Sequence, residues 1–408
     1  MDRIILHCDM NSFFASVELI EHPELKEKPV AVCGDPDSRH GIILAKNEPA
    51  KAFGIVTAET VSQARRKCPD LILLPPHHDK YRHYSRLINA VYYQYTDMVE
   101  PFSIDESWLD VTASVKLFGS GRDIADRIRE RVRSELGLTL SAGVSYNKIF
   151  AKMGSEYKKP DATTEITREN YKRLLWPQPV ENMFFVGFAT AQKLRSAGIS
   201  TIGDLASASD IRLESLLGKQ GPLLIKYASG RDDSPVSLSG ERDRIKSVGN
   251  GITFSRDLKS AEDALTAVTS LSDTVAGRLR KYGFKAKGVK VDIKDASFKS
   301  ISRQKQLVKP THLSSDIKQA AMELISSSWR FPDPIRLITV TAINLTDGEE
   351  GEQLSFFGNG YSSGCESAAA AEEKSDSIEK AMDDIRRKFG DSSITFGQLL
   401  NNDIGIDF

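Results

Sequence analysis

The chain has 408 residues, 55 basic and 56 acidic, for a formal charge of −1, and 40% of its residues are apolar. This composition excludes a disordered or collagen-like chain, and at roughly 100–200 residues per domain the length suggests two to four domains. Apolar runs such as Ile4 to Leu6 and Leu71 to Leu74 fall far short of the ~18–20 residues that cross a bilayer, so no membrane association is expected.

Met1-Asp2-Arg3 leads directly into a strand-like run over 3–8, without the basic start and long apolar stretch of a signal peptide. That run ends in Asp9, after which Phe13, Phe14, Val17 and Glu18 take up helical spacing. Residues 29–33 and 41–45 read as short strands, and 59–67 and 79–97 as helices. Val99 to Val111 reads as a hairpin interrupted by Ser103, Asp105 and Glu106. A strongly amphipathic helix is predicted over 121–136, then a strand over 138–144 and a helix opening near Asn147. That order implies an α+β unit with a mixed or antiparallel sheet. Short helices follow over 169–230, with a polar linker from Ser234 to Gly240. A second α+β domain has strands near 246–254, 288–294 and 335–345 and helices near 261–282 and 314–328. Gly348 to Lys374 reads as a disordered linker. Ile378, Ala381, Met382, Ile385 and Phe389 then return to helical spacing, with Gly390 as a stop.

The near-zero charge is unevenly distributed. Residues 241–347 hold 19 basic and 12 acidic residues, whereas residues 348–408 hold 5 and 13. The basic block suggests a polyanion partner and the acidic tail a different role. Cys8, Cys33, Cys68 and Cys365 have no metal-ligand spacing, which fits a reducing, cytoplasmic environment.

The strongest chemical signal is acidic. Asp9 closes a strand, and Asp105-Glu106 sits within Ser103-Ile104-Asp105-Glu106-Ser107. Carboxylates at strand ends are costly if buried alone, so they call for a cation. Oxygen-only donors suit Mg²⁺, and two such ions about 3.5–4 Å apart can clamp both oxygens of a phosphoryl displacement.

Asp9-Met10-Asn11-Ser12-Phe13-Phe14, followed by Ser103 to Ser107, resembles the Y-family DNA polymerases, in their DNA polymerase IV branch. Ser141 to Lys148, Lys158-Lys159-Pro160 and Lys246 to Asn250 match further family segments in the same order, and the resemblance covers residues 1–347. It implies an α+β multidomain right-hand polymerase. Palm would comprise 1–10 and 77–165, small fingers 11–76, a helical, helix-hairpin-helix-like thumb 166–233 and a little finger 241–347. A flexible acidic tail with a terminal helix would occupy 348–408.

Carried over by position, Asp9, Asp105 and Glu106 are the catalytic carboxylates and hold two Mg²⁺ ions with the Met10 carbonyl. Asn11 departs from the second Asp of many members. Phe14 is the steric gate against a 2′-hydroxyl; Phe13, Lys46, Lys51 and Lys159 line the dNTP. Glu48 and Lys51 replace the Tyr and Arg usual in the fingers motif, so the triphosphate side lacks Arg's bidentate fork. Gly187 of the thumb, with Lys246 and Ser247, would contact DNA. Gln353, Leu354, Phe356 and Phe357 resemble a peptide that docks on a bacterial-type sliding clamp.

The implied function is low-fidelity, template-directed synthesis on primer–template DNA, suited to translesion work, by a monomer. Two rivals fit parts of the pattern. A nucleotidyl cyclase-like palm enzyme would not need the basic second domain. A catalytically inactive DNA-binding accessory protein would not need all three carboxylates.

Overall fold

The computed structural model describes residues 2–36, 41–238, 245–347, 365–400 and 402–406. The chain divides into two compact units, Met1–Arg242 and Asp243–Phe408.

In the first unit the strands are β1 (Ile5–Met10), β2 (Val30–Cys33), β3 (Ile43–Lys46), β4 (Ile72–Leu74), β5 (Val99–Pro101), β6 (Glu106–Asp110), β7 (Leu140–Ser145) and β8 (Thr163–Ile166). They form a five-stranded sheet of order β5-β6-β1-β7-β8 and a separate three-stranded sheet of order β3-β2-β4. β1 lies between two antiparallel neighbours and every one of its residues is buried. A central strand covered on both faces reads as a continuous apolar run, as Ile4 to Leu6 do.

The Gly121–Leu136 helix begins at a Ser120/Asp123 capping box and ends at Gly137 in the left-handed region. Both signals stand in the sequence, which is why the predicted 121–136 agrees with the structure. Ile124, Ala125, Ile128 and Val132 form its buried stripe against the five-stranded sheet. The Phe188–Ser196, Ile202–Ser207, Asp210–Leu217 and Gln220–Ala228 helices enclose a further core.

In the second unit β9 (Ser247–Leu258), β10 (Lys285–Asp295), β11 (Ser300–Thr311) and β12 (Ile335–Thr346) form an antiparallel sheet of order β11-β10-β12-β9. The Ala261–Tyr282 and Ser314–Ser328 helices pack on one face of it.

Three expectations need correction. β4, β8 and β11 are strands absent from the sequence expectation. β8 has four residues, and β11 is an edge strand whose exposed Arg303, Gln304, Lys305 and Gln306 give no apolar alternation. The helix predicted over 79–97 stops at Tyr92. The tail differs most. A helix runs over Cys365–Phe389, reaching well into the stretch read as linker to Lys374, and Ile404 and Ile406 enter the core of the second unit. The clamp-like residues Gln353, Leu354, Phe356 and Phe357 lie outside the described residues.

The tail is held by its charge. The Arg280 guanidinium, 6% exposed, makes a two-point contact with Asp383 (2.6 and 2.9 Å) and a further bond to Glu379. Glu379 also accepts from the Ser314 N–H at 2.9 Å, and Arg386 pairs with Asp273 at 2.8 Å. Removing one partner of a buried pair strands the other's charge. Arg280→Ala should therefore destabilise the protein by about 3 kcal/mol, seen in denaturant unfolding. An unchanged midpoint would mean that the tail is only loosely laid on.

Candidate active site

β1 supplies the centre of the site. Its register with β6 sets Asp9 directly opposite Glu106. Opposed residues of an antiparallel pair project from the same face with their Cβ atoms about 4.5–5.5 Å apart, so the two carboxylates converge. Asp105, the residue before β6, is tied to the end of β1: the Met10 N–H donates to the Asp105 carbonyl at 3.1 Å. The Ser103 hydroxyl donates to Asp105 Oδ1 at 2.7 Å. Asp9 and Glu106 thus meet with His7 beside them, their ligand atoms within 4.8 Å of one another, and Asp105 adjoins this group at the end of β1.

The matching cations come from the Lys148–Tyr157 helix and the residues after it. Lys152, Glu156 and Lys159 follow one another at spacings of four and three residues, the pattern of one helical face carried just past the helix end, and Ser155 stands beside Glu156. That helix packs on β7 and β1. Lys159 Nζ lies 2.8 Å from Asp9 Oδ1 and 2.9 Å from Glu156 Oε1, and the Lys152 ammonium bonds Glu106 Oε2. His7, two residues before Asp9 on the same face, places Nε2 3.3 Å from the same Glu106 oxygen.

These surroundings separate the acids. Burial pushes Asp9 up to about 7, against the pull of Lys159. Burial also raises Asp105. Burial acts the same way on Glu106, but the bonds from His7 and Lys152 outweigh it and hold that carboxyl down at about 2. Burial lowers His7 to about 4, so its ring is neutral at neutral pH. The donor set Asp9, Asp105 and Glu106 offers hard oxygens, which fits Mg²⁺ chemistry.

Phe14 and Phe13 part ways. Phe13 is 3% exposed and belongs to the core, so only its backbone remains to face a ligand. Phe14 is half-buried and stacks on Tyr81, with centroids 4.0 Å apart and planes 10° apart. The Tyr81 hydroxyl is anchored on the buried Glu18. Asn11 sits in a polar joint with Ser141 and Thr139, at 2.9 and 3.1 Å. Lys51 is paired with Glu48 at 2.5 Å, while Lys46 bonds Thr57 at 3.0 Å. Gly187 caps the Phe188–Ser196 helix, and Lys246 and Ser247 are exposed at the start of edge strand β9. None of these last three belongs to the carboxylate cluster.

His7, Lys152, Ser155 and Glu156 were not singled out from the sequence. Strand alternation back from Asp9 would have found His7, and helical spacing back from Lys159 the other three.

Residues 8–156 match the impB/mucB/samB family, and residues 245–356 match the C-terminal domain of that family. DNA polymerase IV of Acetivibrio thermocellus is 42% identical over 402 residues, 98% of each chain. DNA polymerase IV 1 of Bacillus subtilis is 37% identical over 405 residues, covering 98% of this chain and 94% of its own. The chain belongs to the Y-family DNA polymerases, in the DNA polymerase IV branch.

A solved Y-family DNA polymerase chimera shares the fold, with a TM-score of 0.75 over 84% of this chain and 98% of its own at 24% identity. The right-hand α+β architecture expected from the sequence is therefore the one observed, and the protein is a DNA-directed DNA polymerase. The cyclase and accessory-protein readings are set aside. Among the described residues, no helix of this Y-family polymerase is long and apolar enough to cross a membrane.

The site of the polymerase depends on how closely its cation-bearing helix approaches the sheet. Gly143 of β7 leaves no room for a side chain: a Cβ there would lie 1.8 Å from the Ala151 carbonyl oxygen and 2.5 Å from the Ser155 nitrogen. Gly143→Ala must push the Lys148–Tyr157 helix off the sheet. A loss of stability on the order of 3 kcal/mol is expected, with primer extension falling alongside the unfolding midpoint. Full activity at unchanged stability would show that the helix position is not critical.

Proposed function

We propose that the protein adds dNTPs to a primer 3′ end on template DNA by two-metal phosphoryl transfer, with the low fidelity that suits translesion synthesis. The observation that carries this reading is the register of Asp9 opposite Glu106, with Asp105 tied to the end of β1. The domain assignment goes with it: palm 1–10 and 77–165, fingers 11–76, thumb 166–233 and little finger 241–347. Asp9, Asp105 and Glu106, with the Met10 carbonyl, would hold two divalent ions, Mg²⁺ by their chemistry. Bound there, the ions would neutralise triphosphate charge and favour attack by the primer hydroxyl.

The chain's own residues do the positioning. Lys159, on the flank of Asp9, is placed to exchange that carboxylate for phosphate oxygens. Lys46 is the further reserve of charge in the fingers, since Lys51 is engaged by Glu48. Phe14, backed by Tyr81, offers a flat wall to the sugar. The strands of the proposed fingers have only three or four residues each, which supports an open site with weak inspection of the incoming base pair. Phosphate contacts by Gly187, Lys246 and Ser247 need no base reading. Tethering by Gln353, Leu354, Phe356 and Phe357 to a sliding clamp would offset quick dissociation of a monomer.

Asp105→Ala or Glu106→Ala should abolish primer extension while primer–template affinity stays within about twofold, a change worth under 1 kcal/mol. Mg²⁺-dependent synthesis by either variant near the parent rate would refute the assignment. Phe14→Ala should raise ribonucleotide incorporation relative to deoxynucleotide by at least about tenfold, the effect of roughly 1.4 kcal/mol. An unmoved ratio in single-nucleotide extension would place the gate elsewhere.

A further inference from the structure

We propose that His7, oriented by Ser155, is a positioning residue that fixes Glu106 by its Oε2 atom and leaves Oε1 to the catalytic ions. This rests on the reading of Glu106 as a metal ligand given above. His7 stands in the middle of β1 and is wholly buried, where a polar ring is costly unless it is hydrogen-bonded. Its Nδ1 lies 2.8 Å from Ser155 Oγ and its Nε2 3.3 Å from Glu106 Oε2. The ring is packed edge-on against Trp108, whose indole N–H donates to the Lys148 carbonyl at 3.0 Å.

The proton arrangement follows from counting donors. The Ser155 hydroxyl has one proton and two acceptors in reach, the Lys152 carbonyl at 2.7 Å and His7 Nδ1 at 2.8 Å. The Lys152 carbonyl lies inside the Lys148–Tyr157 helix, where the N–H four residues on already serves it. Giving the proton to Nδ1 fixes the neutral ring with its N–H on Nε2, directed at the carboxylate. The reverse choice would set an Nε2 lone pair against a carboxylate oxygen. Ser155 thus satisfies His7 Nδ1, while Nε2 faces Glu106 Oε2 across 3.3 Å, a contact without the geometry of a full hydrogen bond.

The second support falls on the same atom. Lys152 also bonds Oε2, and its ammonium lies between the Phe102 and Phe184 rings, 5.3 and 5.2 Å from their centroids. Neither support touches Oε1. A carboxylate bonded by Lys152 and approached by His7 at the same oxygen is restrained from swinging, which leaves its other oxygen to the ions. Partners of this kind are worth about 10–100-fold in metal affinity when removed.

The test is Mn²⁺ binding to the complex of the full chain with a chain-terminated primer–template, titrated by electron paramagnetic resonance, alongside steady-state kinetics. His7→Leu should weaken Mn²⁺ binding about tenfold or more and lower kcat with KM for dNTP unchanged. Its unfolding midpoint should fall only slightly, because Ser155 keeps the Lys152 carbonyl and Glu106 keeps the Lys152 ammonium as partners. His7→Gln, which keeps a donor for Glu106, should recover most of the affinity, and Ser155→Ala should lose part of it. Equal Mn²⁺ affinity in His7→Leu and parent, or no advantage of Gln over Leu, would overturn the proposal. Should Glu106→Gln bind Mn²⁺ as the parent does, the metal-ligand reading itself fails, and the positioning role with it.

Discussion

The register between β1 and β6 governs what the rest of this molecule can do. Side chains alternate along a strand, so a slip of one residue would turn Asp9 and His7 to the opposite face and leave Glu106 facing no acid. That slip is opposed by hydrogen bonding of β1 to both neighbours and by the burial of all six of its residues. The bond from Met10 N–H to the Asp105 carbonyl then carries the pairing one step past the strand end. It is this step that brings Asp105 to the end of β1.

Gathering three carboxylates has a cost that the fold meets with the helix behind β7. Lys152 and Lys159 compensate Glu106 and Asp9, and they arrive because Gly143 lets the helix backbone lie directly against the strand. The compensation is uneven. Glu106 has Lys152 and His7 against one oxygen and stays ionised, whereas burial lifts Asp9 to about 7 with Lys159 beside it. Groups of one chemical type are thereby given different behaviour by position alone, the condition under which a site can be set in advance for a polycharged reactant.

Much of this was legible in the sequence, for physical reasons that can be named. The 121–136 helix carries its own start and stop signals, and the 261–282 and 314–328 helices carry apolar stripes. Asp9 drew notice as an acid closing an apolar strand, and its role came from the resemblance carried by Asp9 to Phe14 and Ser103 to Ser107. The rest depended on contacts remote in sequence. The edge strand β11 has no buried face to impose alternation. The acidic tail was expected to act apart from the basic block, yet Glu379 and Asp383 close on Arg280, about a hundred positions away, and such pairing has no local signature. Strand alternation places His7 on the face of Asp9, but its pairing with Ser155, 148 positions away, has no local signature.

The central claim is that this register builds a two-ion site on Asp9, Asp105 and Glu106. Its most direct test is anomalous diffraction from Mn²⁺ in a crystal of the protein with primer–template DNA and a non-hydrolysable dNTP. The account predicts two peaks about 3.5–4 Å apart, both touching Asp9 and Asp105, with Glu106 on one of them through Oε1. A single peak away from these carboxylates, or two peaks that neither Asp9 nor Asp105 touches, would contradict it.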